Sequence, residues 1–275
     1  MKRIYIGLSL IFITSISLVF YTPTKKSNSS IFVIEINGPI VSSHLLISML
    51  YAGVNDKGSK AILLRINSSG GSLSAAQEVY NEIKAIDLAY NKSKGKIGKP
   101  IFASLDTVAT SHGYFISTAA RRIYAVPGTL IGSIGVKLKF KDYSKLYNLL
   151  GVNKIAIKTG SYKDMGFDYR VMTKNEKSLI KDLAINMKDQ IINDIMSRRK
   201  WLIKDNINKV SNGEIFSGRQ ALDLGLIDRP FGIWDAGRDI HEYLNINKKV
   251  SFKYLRQKKS WKQELGLDQE ITVQY

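Results

Sequence analysis

A serine, a pair of glycines and an abundance of lysines are the residues of this chain whose placement offers chemistry. Ser111 lies in Asp106-Thr107-Val108-Ala109-Thr110-Ser111-His112-Gly113-Tyr114, after a strand-like run at residues 100–105 and before a run of small residues, Ser117-Thr118-Ala119-Ala120. Strand, tight turn and helix in succession lift a serine Oγ clear of the backbone and leave the next N–H groups free at a helix start. A nucleophile uses that geometry, and so does a plain helix-capping serine. Gly70-Gly71 ends a second apolar run, Ala61-Ile62-Leu63-Leu64-Arg65-Ile66. Two glycines there let the backbone approach a ligand and aim N–H groups at a developing oxyanion; a connecting turn uses the same residues. Residues 128–135, also glycine-rich, read as a turn or as the wall of a site.

A serine nucleophile needs a base. The chain has 3 histidines. His112 adjoins Ser111, so the two side chains diverge, while His44 and His241 fall in ordinary helical contexts. A lysine serves instead where burial lowers its pKa by several units from about 10.4. Most of the lysines here belong in solvent, and residue type alone distinguishes Lys163 only by its place in the glycine-flanked loop at residues 159–166.

The elements that must position these groups follow from periodicity. Strands are expected at residues 31–38, 61–66, 100–105, 122–126 and 152–158, with helices near 43–51 and 73–86 between them. A long helix opens on a capping box, Thr173 with Glu176, and runs to about Trp201; a second box, Ser217 with Gln220, opens a short helix closing at Gly225. Short alternating strands and helices imply an α/β fold with a mainly parallel sheet.

With 275 residues and 44% hydrophobic content, the chain has ample material for a core. It contains no cysteine, which excludes disulfides and thiolate chemistry and leaves the compartment open. No metal-ligand spacing is present, and neither a metal nor a cofactor is expected. The net charge of +18 is spread along the chain without a nucleic-acid motif, so nucleic acid is not an expected partner. Residues 4–21 form an uncharged, mostly apolar run behind Met1-Lys2-Arg3 and read as one N-terminal transmembrane helix with its N-terminus in the cytoplasm, a cleaved signal peptide being the competing reading. The expected organisation is an anchor and linker at 1–30, a main domain at 31–245 and a basic tail at 246–275. The tail interleaves lysines with Phe252, Tyr254 and Trp261; anionic lipid, a neighbouring subunit or plain solvent would each suit it.

Four ordered motifs carry a resemblance. Asn67-Ser68-Ser69-Gly70-Gly71-Ser72, Val108-Ala109-Thr110-Ser111-His112-Gly113-Tyr114, Gly132-Ser133-Ile134-Gly135-Val136 and Ser161-Tyr162-Lys163-Asp164 together resemble the signal peptide peptidase A (SppA) family of membrane-anchored serine proteases, as does the closing segment at 216–228. The likeness covers roughly residues 31–240. It implies a ClpP/crotonase-like fold and a Ser–Lys dyad, with Ser111 as nucleophile, Lys163 as general base and Ser133 orienting the lysine. The oxyanion hole would be the N–H of Gly71 or Gly70 with that of His112. It further implies peptide substrates such as remnant signal peptides, self-association into a homo-oligomer whose subunits share the site, and a place in the bacterial inner membrane with the catalytic domain on the periplasmic side. The chain departs from the family at His112, where glycine is usual, and at Ser69, where proline is usual. A donor at 112 survives if the backbone there avoids positive φ, and the imidazole would narrow a substrate pocket. A catalytically impaired scaffold and an acyl-CoA-binding crotonase-type enzyme are the alternative functions.

Overall fold

Three apolar strands lie side by side because each can be buried on both faces. β1 (Ile31–Asn37), β2 (Ala61–Ser68) and β3 (Ile101–Thr110) pair in parallel, with Ile34 opposite Leu64 and Leu64 opposite Ala103. The computed structural model describes residues 30–203 and 206–255. Around this centre, β4 (Ile123–Ala125) and β5 (Leu130–Gly132) pair with successive parts of β3, β6 (Ile215–Ser217) runs antiparallel to β5, and β7 (Phe252–Tyr254) runs parallel to β1. The result is a seven-stranded, mostly parallel sheet ordered β6-β5-β3-β2-β1-β7, with β4 beside β3.

Alternation along the strands divides the core in two. Phe32, Ile34, Ile62, Leu64 and Ala103 face α1 (His44–Asn55), α2 (Leu73–Lys92) and α3 (His112–Ser117). Ile31, Val33, Leu63 and Phe102 face α8 (Ile233–Tyr243) through Ala236 and Ile240. A stacked pair, Tyr80 on α2 and Phe115 on α3 with centroids 4.7 Å apart, aligns the two helices and contributes about 1 kcal/mol beyond its buried area. The Tyr80 hydroxyl then donates to the Asp194 carbonyl at 2.7 Å, drawing in the long helix α5 (Lys174–Ile203). Between these lie the short helices α4 (Ser144–Leu149), α6 (Ile207–Val210) and α7 (Gly218–Asp223).

Both capping boxes form. Glu176 N–H donates to Thr173 Oγ1 and the Glu176 carboxylate accepts from Thr173 N–H; Ser217 and Gln220 make the same reciprocal pair. Gly225 closes α7 at φ +75°, as its position after the helix predicts.

Two expectations need correction. Residues 152–158 form no strand, and Ile155 and Ile157 are 89% and 99% exposed. A strand needs a ladder partner, and no described strand pairs with this segment. Second, β7 lies within the stretch read as a tail, so the sheet extends to Tyr254. His241 secures that closure: its Nδ1 donates to the Lys248 carbonyl at 3.0 Å and its Nε2 meets Ser30 Oγ at 2.6 Å. Among the described residues no helix is long and apolar enough to cross a membrane; the expected span at 4–21 lies outside them.

One buried carboxylate joins several elements. Asp87 on α2 is fully buried and accepts from Arg121 Nε at 2.5 Å, from Arg198 at 3.0 Å and from the Ile101 N–H at 3.4 Å. Removing one partner of a buried pair strands the other charges. Asp87→Ala is therefore expected to lower stability by about 3–5 kcal/mol, read as a fall in the urea midpoint with unchanged slope; a loss within about 0.5 kcal/mol, the range of ordinary surface changes, would show that the arginines find other partners.

Candidate active site

The site grows from the end of β3. Thr110 pairs with Gly132 of β5, and the Ser111 N–H donates to the Gly132 carbonyl at 2.8 Å. That bond holds Ser111 at φ 53°, ψ −122°, a region that costs a non-glycine residue about 1–3 kcal/mol. α3 starts at once, with Phe115 N–H donating to the Ser111 carbonyl at 2.9 Å. Ser111 thus occupies the N-cap position, yet its Oγ makes no capping bond. The plain capping reading fails on that point. α3 presses close to β2 because residue 113 is glycine: a Cβ there would lie 2.5 Å from the Ser68 carbonyl oxygen.

The second strand end meets it. Gly71 holds φ +149°, and a Cβ on it would overlap the Ile40 carbonyl oxygen. Ile40 N–H donates to the Gly70 carbonyl at 2.8 Å and Ser72 N–H to the Ile40 carbonyl at 2.7 Å. Gly70 packs directly on Ser111, where an added Cβ would stand 3.1 Å from the Ser111 Cβ. The two glycines differ in what they offer. Gly70 N–H donates to Ser68 Oγ at 3.2 Å, whereas the N–H groups of Gly71 and His112 bond to nothing among the described residues. His112 also avoids positive φ, so a side chain at this position keeps its N–H in the helical orientation.

Ser111, His112, Gly71 and Ser133 line one open cleft of about 770 Å³. Ser133 is itself at φ 51°, fixed by its N–H bond to the Glu214 carbonyl at 2.6 Å. The cations on the cleft wall are Lys137 and Lys188, neither singled out by sequence. The expected base is elsewhere. Lys163 is exposed and does not line the cleft; its N–H donates to the Gly160 carbonyl at 3.2 Å, while its side-chain amine makes no hydrogen bond or ion pair among the described residues. A single chain therefore brings together Ser111, Ser133, Gly70, Gly71 and His112 and leaves Lys163 outside. The reason lies in the arm at residues 137–172, which makes no strand and exposes Leu149, Ile155 and Ile157 to solvent.

What fixes the Lys163 loop is a charge network that the sequence reading missed. Asp164 accepts from Arg170 Nε at 2.9 Å and from Lys158 Nζ at 2.5 Å, and Arg170 also donates to Glu176 at 2.6 Å. Both carboxylates are buried. The Arg170 hydrogen bonds, with help from Lys158, hold Asp164 far below the usual carboxylate range, and Arg170 with the Thr173 N–H brings Glu176 to about 2. The capping glutamate was the available signal, since it ties the loop to the start of α5.

His112 is the other departure. Both ring nitrogens are buried without a hydrogen-bond partner, a cost of about 1–3 kcal/mol for an unpaired polar group. Burial pushes its pKa down; the nearby Gly71 backbone opposes this without meeting hydrogen-bond geometry.

The model of peptidase family S49 matches residues 93–247. The chain belongs to peptidase family S49. A Clp protease model matches residues 23–99, in keeping with the parallel α/β sheet. Among relatives, a Synechocystis protein described as a protease is 33% identical over 76% of this chain and 72% of its own length. An Enterococcus faecium protein described as signal peptide peptidase SppA is 28% identical over 79% of this chain and 67% of that protein. The chloroplastic serine protease SPPA of Arabidopsis thaliana is 31% identical over 78% of this chain and 31% of that protein. The S49 match spans Ser111, Ser133 and Lys163, and the Clp match spans Gly70 and Gly71.

Two outcomes follow from this geometry. Ser111→Gly, which relieves the backbone, is expected to raise stability by about 1 kcal/mol or more, while Ser111→Ala stays within about 0.5 kcal/mol, both read by thermal unfolding; equal effects would mean that the turn is unstrained. The folded pKa of His112 lies below its unfolded value near 6.5, so the unfolded chain takes up its proton first. Its contribution is present above about pH 6.5 and is lost as pH falls below that value. His112→Phe should flatten this part of the stability profile in urea titrations.

Proposed function

We propose that this S49 peptidase is a membrane-anchored serine endopeptidase with a Ser–Lys dyad, Ser111 as nucleophile and Lys163 as general base. The observation that carries the reading is the uncapped Ser111 Oγ on a strained turn, beside two unbonded N–H groups at the same end of the sheet. Neutral Lys163 takes the Ser111 proton, and the alkoxide attacks a peptide carbonyl. The N–H groups of Gly71 and His112 hold the oxyanion, the amine leaves with a proton, and water releases the acyl group. Ser133, facing the same cleft, orients the lysine amine.

Since Lys163 does not reach Ser111 within one chain, it comes from a neighbouring copy. A solvated lysine amine is protonated at neutral pH and acts as a base only where burial disfavours its charge; a subunit junction supplies that burial. The exposed apolar side chains of the arm support such a junction, since Ile157 and Leu149 gain by being covered. The anchor is assigned to residues 4–21 and the peptidase domain to the sheet from Ile31 onward, facing the extracytoplasmic side of a bacterial inner membrane. The name of the Enterococcus relative supports remnant signal peptides or membrane-protein fragments as substrates. Lys163 standing outside the cleft is the observation that favours a silent scaffold instead, and labelling of Ser111 by an active-site phosphonate separates the two.

Ser111→Ala and Lys163→Ala are each expected to cut kcat for a peptide substrate by about 10⁴- to 10⁶-fold. Co-assembling the two variants should restore roughly a quarter of the wild-type rate, the share of junctions that pair an intact serine with an intact lysine. Full activity in Lys163→Ala would refute the dyad, and no recovery on mixing would refute a shared site.

A further inference from the structure

The central strands begin together. Ile31 is level with Ala61 and Phe252, and Ile62 with Ile101, so Ser30, the turn at residues 56–60, the loop at 93–99 and residues 248–251 share the end of the sheet opposite Ser111. Backbone bonds join them: Lys60 N–H donates to the Ser30 carbonyl at 2.8 Å, and Ile31 N–H to the Ser251 carbonyl at 3.2 Å. Lysines crowd this end. Lys57, Lys60, Lys94 and Lys96 are exposed, and their amines make no hydrogen bond or ion pair among the described residues. Lys248 and Lys249, just before β7, are exposed too. Lys99 differs, because its amine is spent inward on the Gly53 carbonyl at 2.7 Å, on Ser59 Oγ at 2.9 Å and on the Asp56 carbonyl, closing the end of α1. Nearby carboxylates are committed, Asp56 to Lys253 and Asp87 to Arg121 and Arg198, while Glu242 in the last turn of α8 is exposed.

One apolar side chain stands among these charges. Ile97 is 65% exposed and borders an open hollow with Lys57, Lys60 and Lys96. Its loop has a defined shape: Gly95 N–H donates to the Tyr90 carbonyl at 2.8 Å, and Ile97 N–H to Ser93 Oγ at 2.8 Å. An isoleucine held out of the core gains nothing in water. A lipid headgroup layer suits it, since there the apolar side chain is buried while ammonium groups beside it reach phosphates.

We propose that this end of the sheet docks on anionic phospholipid, with Ile97 entering the headgroup layer and Lys57, Lys60, Lys94 and Lys96 meeting the phosphates. Docking rests on the anchor assigned above to residues 4–21, which supplies the proximity. Tyr21 and Ser30 are nine residues apart, at most about 30 Å of extended chain. A tether of that length keeps the lysines close to the bilayer at high effective concentration, so contacts of roughly fivefold per lysine suffice.

The chain has no cysteine, so Ile97→Cys accepts a single environment-sensitive fluorophore, itself apolar, in place of the isoleucine. Val41→Cys is the control, at a residue 76% exposed and next to Ile40, which bridges Gly71 at the Ser111 end. Full-length protein is reconstituted in phosphatidylcholine vesicles with and without about 30% phosphatidylglycerol. Emission from position 97 should shift to the blue only with phosphatidylglycerol and should revert in ~1 M salt, where screening acts within about 3 Å; position 41 should not respond. Lys94→Gln combined with Lys96→Gln should lower the docked-to-free ratio by roughly twentyfold. Equal emission in the two lipids, or a shift kept in full by the double variant, would overturn the docking face. Flotation reads the anchor separately: protein that floats with pure phosphatidylcholine but shows no lipid-dependent shift keeps the anchor and loses the face. Failure to float with pure phosphatidylcholine overturns the anchor. Binding to phosphatidylglycerol vesicles that the double variant loses then supports the face by itself, and no such binding overturns it.

Discussion

A single backbone bond, from the Ser111 N–H to the Gly132 carbonyl, is the constraint on which the site depends. It holds a side-chain-bearing residue at positive φ between the end of β3 and the start of α3, where neither a strand nor a helix would leave it. The cost is met by neighbours that cannot move. β3 is paired along both edges, α3 is stacked through Phe115 on Tyr80, and Gly113 lets α3 rest on the Ser68 carbonyl. The Ser111 hydroxyl and two unbonded N–H groups are thus held in place by the rigid part of the molecule.

The arm is built on a different principle. Its order comes from charge-assisted bonds among Lys158, Asp164, Arg170 and Glu176, anchored on the capping box of α5, rather than from a buried core. Its apolar side chains point outward instead of inward. A segment held by ion pairs can keep its internal shape while its apolar surface remains available for contact.

Much of this was legible in the residues. β2 reads as buried because its apolar run is continuous, and both helix boxes read correctly because a cap is a local exchange of two hydrogen bonds. Ser111 could be picked out because strand, turn and helix follow within a few residues. Other features depend on distant partners. β7 exists only through its pairing with β1, and residues 152–158 have strand-forming residues but no partner edge. Gly70 and Gly71 look alike in sequence, and only the Ser68 hydroxyl, which takes the Gly70 N–H, tells them apart. Lys163 was chosen by resemblance, which assigns a role without giving a position.

The parallel pairing of β1, β2 and β3 has a consequence for how the molecule stands. Ser30 leads into β1 at one end of the sheet, and Ser111 leaves β3 at the other, with Ile31 level with Ala61 and Ile62 level with Ile101. The 10 residues of β3 span about 30 Å at ~3.3 Å each. Chain entry at Ser30 and the Ser111 turn therefore lie at opposite ends of the sheet, so the height of one strand separates the cleft from the point where the chain enters the domain.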